Sequence, residues 1–359
     1  MTPGARISAA IEVVAEIEAR KRPAADALKD WGLSHRFAGS KDRAAIASLV
    51  FDAQRKRASS AFIMGAETPR TSVLGALRQL RDMSTGALAA LCTGEGHAPP
   101  PLNEGEAERL SAADLTGAPS FVAGDFPAWL EPSLAAVFGP AVVAEMSALA
   151  TRAPVDLRVN TLKSTREKAL ASLAHLRAAP TPYSPLGLRL PLAADGRGPA
   201  LAAESVYIKG LAEIQDEGSQ LAAILAVAKP GEQVLDLCAG AGGKTMALAA
   251  SMQNKGQIHA TDRDGSRLMR SIARLERASV RNVQLHAPRG KNNLLAGLEG
   301  RCDLVFVDAP CTGTGAWRRS PDAKWRVRPG ALAARITEQD RALEEAARFV
   351  KPRGRILYA

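Results

Sequence analysis

The chain has 359 residues, of which 46% are hydrophobic and 23% are charged. This composition is typical of a soluble globular protein with two or three folded units, and no segment is expected to supply the roughly 20 apolar residues of a membrane span. Lysine and arginine outnumber aspartate and glutamate by 47 to 37, a net charge of +10 that favours a polyanionic partner. The N-terminus lacks the features of a secretory signal, so a cytoplasmic protein is expected.

Cysteine usage gives no indication of a metal centre or of an oxidising compartment. None of the four cysteines lies in a Cys-x-x-Cys pair or near a histidine at ligand spacing: Cys92, Cys238, Cys302 and Cys311. A zinc site and a disulfide framework are therefore both unexpected. We predict that the protein has no metal site.

Helical periodicity characterises the N-terminal part of the chain. Apolar residues recur at helical spacing over residues 7–17 and again over residues 45–50. We predict an all-helical domain over residues 1–145. Basic runs at residues 20–22 and 55–57 favour either capping of helix ends or contact with RNA, and the residues alone leave both possibilities open.

The sequence pattern changes near residue 155 from helical to mixed. Residues 155–159 alternate like a strand, and Ser164 with Glu167 forms a capping box for a following helix. We predict a small α/β subdomain over residues 146–204. From residue 205 onward strands and helices alternate, which predicts a mostly parallel, Rossmann-like sheet. The strands of this sheet are predicted at residues 234–237, 257–261, 304–307 and 355–358.

A glycine-rich turn follows the strand at residues 234–237 and opens a helix, where the backbone can approach a ligand closely. Residues 243–245, Gly-Lys-Thr, match the end of a phosphate-binding P-loop. Cys238, however, stands where that motif needs its first glycine. An ATPase, in which Asp308 would be the acidic residue at the end of a strand, therefore remains only an alternative function.

An adenosine-containing cofactor explains the same turn better. Asp236, Gly240 and Gly242 have the spacing of the class I methyltransferase turn, and Asp262 ends the next strand. A carboxylate there can accept hydrogen bonds from both ribose hydroxyls. A dehydrogenase is disfavoured because Thr245 occupies the position of the third glycine in a dinucleotide-binding motif.

An acid and a thiol follow the strand at residues 304–307, at the edge where parallel sheets bind substrates. These are Asp308 and, three residues later, Cys311. A thiolate that adds to carbon 6 of cytosine activates carbon 5 for methylation, and an acid can hold the N3/N4 edge of the base. From the residues alone, Cys311 is either that nucleophile or a small buried hydrophobic residue at a strand end.

Residues 308–315, Asp-Ala-Pro-Cys-Thr-Gly-Thr-Gly, together with the glycine turn resemble the RNA cytosine-5 methyltransferases of the Sun/Fmu/RsmB type. The helical N-terminus, including residues 37–43, is similar to the NusB-like RNA-binding domain of these enzymes. The resemblance implies RNA as the partner and small-subunit ribosomal RNA as the favoured substrate. Transfer RNA and a non-catalytic RNA-binding role are the alternatives. Further agreement lies at residues 127–130, 157–160, 215–220 and 320–322.

The resemblance also implies roles for individual residues. Lys244 and Asp308 would lie at the reacting centre, and Cys311 would assist release of the product rather than attack the base. The attacking thiol would come from a Thr-Cys after the strand at residues 355–358, so the chain is expected to stop short of it at Ala359, with its sheet incomplete. The S-adenosylmethionine pocket would be lined by Cys238, Ala239, Gly240, Ala241, Gly242, Gly243, Lys244, Asp262 and Asp308.

Two segments differ from the family pattern or extend it. Ala287 stands near the position where the family has a third cofactor acid, which leaves the neighbouring His286 as a possible hydrogen-bonding substitute. Between Trp317 and Arg326 cations and aromatic residues interleave. That composition favours either phosphate contact and base stacking with RNA, or a solvated loop anchored by one tryptophan.

Overall fold

The computed structural model describes residues 1–192, 198–288 and 295–359. Its helices are α1 Pro3–Arg20, α2 Ala24–Ser34, α3 Ser40–Arg55, α4 Arg57–Met64, α5 Pro69–Arg81, α6 Thr85–Leu91, α7 Glu104–Ala112, α8 Ser120–Ala123, α9 Glu131–Phe138, α10 Val142–Leu149, α11 Arg166–Ser172, α12 Ser205–Ile208, α13 Glu217–Leu225, α14 Gly243–Ser251, α15 Gly265–Met269, α16 Ser271–Arg277, α17 Asp322–Arg326 and α18 Pro329–Phe349. Its strands are β1 Val155–Val159, β2 Ala179–Pro180, β3 Gly187–Leu190, β4 Ala212–Ile214, β5 Gln233–Asp236, β6 Gln257–Thr261, β7 Val283–His286, β8 Cys302–Val307 and β9 Val350–Tyr358.

The described residues form two compact units. The helical unit contains Met1–Ala153 and Gly313–Pro329, and the α/β unit contains the remaining described residues. Because each unit has its own buried apolar clusters, each has a core of its own. The domain boundaries expected at residues 145 and 204 stay predictions.

The helical unit is built on α1, α3 and α5. Helix α1 begins after Thr2, whose hydroxyl caps the helix by accepting a hydrogen bond from the Ala5 amide at 3.2 Å. Its apolar face buries Val13 and Val14, and Leu74 of α5 joins the same core. The helical fold expected for the N-terminal region is therefore confirmed.

Gly313–Pro329 belongs to the helical unit although its first three residues are the last three of the predicted catalytic motif. Trp317 is 2% exposed and packs against Phe126 and Met146. Lys324 is 3% exposed and donates a hydrogen bond to the Arg55 carbonyl at 3.1 Å. Of the two alternatives for this segment, base stacking with RNA is therefore wrong for Trp317, because the large apolar indole is more stable in the core, where it anchors the segment.

One apolar stretch contradicts the expectation that no segment is suited to a membrane span. Ala128–Leu149 is long and apolar enough to cross a membrane by length and composition alone. In the structure this stretch contains two short α-helices, α9 and α10, separated by a 3-10 segment that begins at Gly139, whose φ is +52°. Few of its residues are buried, but Val142 and Met146 pack with Trp317.

The α/β unit contains two sheets. The first is antiparallel in the order β2-β3-β1-β4, and the second has the order β7-β6-β5-β8-β9 with parallel pairing throughout. This arrangement confirms the predicted α/β class with a Rossmann-like parallel sheet. The last strand is longer than expected, because pairing with β8 begins already at Val350.

The central strands are buried on both faces, as expected for a parallel sheet covered by helices. Val234 and Phe306 pack against Leu248 of α14 on one face. Leu235 and Val305 pack against Ala346 of α18 on the other. Because β6 and β8 flank β5 on opposite sides, a crevice forms at the carboxyl ends of β5 and β8, where folds of this kind bind ligands.

Candidate functional site

The glycine turn between β5 and α14 has a backbone shape that requires glycine. Gly240 and Gly242 have φ values of +56° and +77°. A Cβ atom on Gly242 would lie 2.8 Å from the Ser271 Cβ, which is too close for an unshifted contact. The Ala239 amide donates to the Thr261 carbonyl at 2.9 Å and so attaches the turn to β6. The turn is therefore a fixed backbone surface at the crevice.

Asp262 follows β6 and lies against this turn. Its Oδ2 accepts a hydrogen bond from the Gly240 amide at 2.7 Å, and its Oδ1 accepts one from the Asp264 amide at 2.8 Å. Charge-assisted hydrogen bonds of this kind hold a carboxylate in a single orientation. The structure thus brings Asp262 and the glycine turn together, as the sequence spacing predicted.

A cavity of about 210 Å³ opens beside Asp262. Among the residues predicted for the site, Cys238 and Asp262 line it, and Pro310 brings the loop of the predicted catalytic motif to its wall. Arg263 and Glu345 also line the cavity, and no motif marked either of them in the sequence. Glu345 lies on α18, so only the tertiary fold brings it to the cavity. The remaining lining residues are Leu237, Thr261, Pro288, Leu295 and Ala342.

Lys244 and Asp308 form an ion pair at the same edge of the sheet. The distance between Lys244 Nζ and Asp308 Oδ2 is 2.5 Å. The Asp308 side chain is 41% exposed, whereas that of Lys244 is 15% exposed. The more buried lysine therefore holds the Asp308 carboxylate by its ion pair, and part of the carboxylate stays accessible to a ligand.

Cys311 is exposed, so the interpretation of this residue as a small buried hydrophobe is wrong. The carbonyl of the preceding Pro310 accepts a hydrogen bond from Gln339 Nε2 of α18 at 2.8 Å, which steadies the loop. The backbone of Ala309, next to Asp308, donates to the Ala359 carbonyl at 2.9 Å. The loop of the predicted catalytic motif is thus held by both α18 and the residue that follows β9.

The other three thiols are poorly suited to nucleophilic attack. Burial raises the pKa of Cys238 to about 12 and that of Cys302 to about 11. Burial also raises the pKa of Cys92. A thiol with a raised pKa is protonated near neutral pH and does not act as a thiolate.

Asp236 is buried at the end of β5, directly beneath the glycine turn. Its Oδ2 accepts a hydrogen bond from the Thr245 hydroxyl at 2.6 Å, and its Oδ1 has no hydrogen-bond partner in the part of the chain that the structure describes. Burial raises the pKa of Asp236 from 3.8 to about 7. The side chain is therefore mainly protonated below about pH 7.

This shift predicts a pH dependence that Asp236→Asn removes. The folded state binds the proton more tightly than the unfolded state, so the stability from protonated Asp236 is fully present below pH 3.8 and is lost as pH rises through about 7. We expect the unfolding free energy of the unaltered protein, relative to Asp236→Asn, to fall between pH 4 and 8. Urea unfolding of both proteins across this range measures it, and a constant difference would contradict the buried, protonated carboxyl.

A buried carboxylate on β4 supports the glycine turn from behind. Glu213 is 2% exposed and forms ion pairs with Arg274, at 2.9 Å, and with Arg277. Arg274 Nη1 also donates to the Ala241 carbonyl of the turn at 2.7 Å. This support was not predicted, because neither arginine belongs to a recognisable motif.

His286, the possible substitute for a third cofactor acid, forms a contact with another histidine instead of lining the cavity. His286 Nε2 lies 3.0 Å from His259 Nδ1, and His286 does not line the cavity. Its neighbour Pro288 does, whereas Arg289 lies outside the described residues. Across residues 1–192, 198–288 and 295–359, no group of three or more histidines, cysteines or acids could hold a metal ion.

Comparison with protein families agrees with this geometry. Residues 222–359 match the family described as 16S rRNA methyltransferase RsmB/F, and residues 126–195 match the ferredoxin-like domain of Methyltr_RsmF/B-like proteins. Over residues 222–359 the chain therefore has a methyltransferase domain of the RsmB/F type. The matched region of the first family contains the glycine turn, Asp262, Asp308 and Cys311.

Curated relatives carry names of the same kind. A probable ribosomal RNA small subunit methyltransferase B from Synechocystis is 32% identical over 241 residues, which cover 65% of this chain and 52% of the relative. Ribosomal RNA small subunit methyltransferase B from Sodalis glossinidius is 32% identical, over 65% of this chain and 53% of the relative. The chain therefore spans about half the length of the curated relatives that it matches.

Solved structures share the fold. The crystal structure of PH0851 superposes with a TM-score of 0.73 at 24% identity and covers 100% of this chain and 86% of that chain. The structure of NSun6 from Pyrococcus horikoshii with SFG has a TM-score of 0.56 at 22% identity, over 64% of this chain and 82% of that chain. At these identities the likeness concerns the fold alone.

Proposed function

We propose that this protein transfers a methyl group from S-adenosylmethionine to carbon 5 of a cytosine in RNA, with small-subunit ribosomal RNA as the favoured substrate. One observation carries the proposal. Asp308, which is paired with Lys244, and the exposed Cys311 lie on one loop. Pro310 of the same loop lines the cavity beside Asp262. The relatives named ribosomal RNA small subunit methyltransferase B support this choice of substrate.

The residues of the cavity fit S-adenosylmethionine. Asp262 would accept the ribose hydroxyls, the apolar wall at Leu237 and Pro288 suits adenine, and the backbone of the glycine turn would lie against the methionine part. When bound, this cofactor supplies an electrophilic methyl group. The protein's part is to hold the cofactor and to present the cytosine to it.

Asp262→Ala is expected to weaken binding of S-adenosylmethionine by about 1–3 kcal/mol, since ribose hydroxyls would lose their acceptor and the Gly240 amide its partner. Isothermal titration calorimetry on both proteins measures the change. Asp264→Ala is a control, because that exposed neighbour only caps α15. Equal affinity of Asp262→Ala and the unaltered protein, or tight Mg-ATP binding by the latter, would refute the cofactor assignment.

We assign Asp308 to recognition of the target cytosine. Its exposed carboxyl would contact the N3/N4 edge of the cytosine, and Lys244 would hold it in place. Cys311 is assigned to release of the product, by helping to remove the proton from carbon 5. The family resemblance implies that a thiol other than Cys311 attacks the base, and Ala359, which follows β9, is hydrogen-bonded to Ala309 beside Asp308.

A mutation of Cys311 distinguishes the two roles available to this thiol. In the protein expressed from its natural gene, we expect Cys311→Ser to retain a covalent adduct with RNA that contains 5-fluorocytosine, because another thiol makes the bond. Denaturing electrophoresis with labelled RNA detects the adduct, and Cys302→Ser is the matched control at a buried thiol. Loss of the adduct in Cys311→Ser alone would identify Cys311 as the nucleophile.

The proposed function itself is tested by removing the gene. Bisulfite sequencing of ribosomal and transfer RNA from a deletion strain should reveal one small-subunit ribosomal cytosine that is no longer protected. A copy of the natural gene should restore that protection. Loss of protection only in transfer RNA would correct the substrate, and no change in either RNA would favour a non-catalytic RNA-binding role.

A further inference from the structure

A second cavity, of about 270 Å³, lies within the helical unit. It is formed where the end of α1, the junction of α3 and α4, and α17 meet, and we call it the Gln54 pocket. Its volume is near the lower end of small-molecule sites, which span roughly 300–1,000 Å³. The residues that matter for its chemistry are Gln54, Trp325, Glu18, Lys21, Arg57 and Arg328.

Gln54 is the unusual member of this pocket. The residue is 1% exposed, and neither Oε1 nor Nε2 of its side chain has a hydrogen-bond partner within the described residues. Buried amide groups are nearly always paired, because an unsatisfied donor or acceptor costs about 1–3 kcal/mol. An amide that lines a cavity and lacks partners is therefore available to a ligand with one donor and one acceptor side by side.

Trp325 supplies an aromatic surface to the same pocket. Its indole N–H donates to the backbone carbonyl of Gln54 at 2.7 Å, which fixes the ring. The Arg57 guanidinium lies 5.5 Å from the ring centre, and the Lys324 ammonium lies 5.0 Å from it. A fixed, half-buried ring beside the Arg57 cation is suited to stacking on a nucleobase.

The charges around the pocket favour a phosphate. Lys21 and Arg328 are exposed, and neither forms an ion pair with any residue that the structure describes. The two acids at the pocket are already engaged. Asp322 accepts a hydrogen bond from the Ala24 amide at 3.1 Å, and Glu18 lies 3.8 Å from Arg57. Burial raises the pKa of Glu18, and the guanidinium of Arg57 opposes that shift.

We propose that the Gln54 pocket binds one unpaired adenine nucleotide of the RNA, an inference that rests on the proposed action on RNA. The Gln54 amide pairs with the adenine edge, since glutamine meets the N6 donor and N7 acceptor of adenine with one acceptor and one donor. Trp325 stacks on the base, and Lys21 and Arg328 contact its phosphates. This site would select a sequence feature of the RNA separate from the cytosine that is methylated.

The test uses fluorescence anisotropy with labelled tetranucleotides of adenine, cytosine or uracil and the full chain. Saturating S-adenosylhomocysteine is present so that the cofactor cavity does not take up adenine. The unaltered protein should bind the adenine tetramer about tenfold more tightly than the uracil tetramer, and Gln54→Met should abolish this preference. Arg328→Gln should weaken all three tetramers alike, because it removes a phosphate contact.

Gln79→Met is the matched control, because the amide of Gln79 in the same unit already donates to the Ser60 hydroxyl at 3.1 Å. It should leave the adenine preference unchanged, and thermal unfolding should show that Gln54→Met remains folded. Calorimetry with S-adenosylhomocysteine alone checks the proposed cofactor site, and the bisulfite experiment checks the proposed action on RNA, so failure of the proposed function is distinguished from failure of this inference. No base preference in the unaltered protein, or a preference that survives in Gln54→Met, would overturn the inference.

Discussion

Asp308→Asn is expected to lower the rate of RNA methylation by about 10²- to 10⁴-fold, the usual contribution of a positioned acid or base. The asparagine keeps the size of the side chain but cannot share a proton with the N3 of cytosine, and it also ends the 2.5 Å ion pair with Lys244. Transfer of a labelled methyl group to ribosomal RNA by the protein from its natural gene measures the effect. We expect the rate constant at saturating substrate to carry most of the loss.

Asp303→Asn is the control for this experiment. Asp303 is on the same strand, β8, but forms an ion pair with Lys351 and accepts a hydrogen bond from the Gln233 amide at 2.8 Å. These partners lie at the opposite end of the strand from the cavity, so its replacement should leave the rate nearly unchanged. A loss of less than about tenfold in Asp308→Asn, compared with about 10² for a typical acid or base, would remove Asp308 from the chemistry.

Glu213→Gln is expected to destabilise the α/β unit by about 3–5 kcal/mol, because Arg274 and Arg277 would lose their buried counter-charge. Arg274 also holds the Ala241 carbonyl at 2.7 Å, so the glycine turn should loosen and the affinity for S-adenosylmethionine should fall. Urea unfolding measures the first effect and calorimetry the second. The neighbouring Arg158 has its pKa lowered to about 10 by burial, with Glu213 opposing that shift.

The surface ion pair of Glu299 with Arg348 provides the comparison. Their side chains are 46% and 60% exposed, so Glu299→Gln should change the unfolding free energy by less than about 1 kcal/mol. If Glu213→Gln were equally mild in unfolding and also left the affinity for S-adenosylmethionine unchanged, the buried carboxylate would not be the support of the turn. Normal stability combined with weak cofactor binding would indicate that Glu213 acts on the turn without stabilising the unit.

Most of the candidate cofactor site could be predicted because its sequence signals are local. The glycine turn, Asp262 and Asp308 each follow a strand whose apolar run is visible in the sequence, and parallel strands bring their carboxyl ends to one edge. The residues that support the site had no such signal. Glu213 is 61 residues from Arg274, and Glu345 reaches the cavity only through the packing of α18.

The sequence by itself determined the α/β class, the helical N-terminus and the order of the glycine turn, Asp262 and the loop of Asp308, because these depend on residue spacing and on backbone preferences within a few residues. Only the tertiary structure decided which polar and aromatic side chains are buried and which partners they contact. It buried Trp317, exposed Cys311, paired His286 with His259 and brought Trp325 to Gln54 across 271 residues. Burial and hydrogen-bond partners depend on contacts between distant segments, which local patterns do not contain.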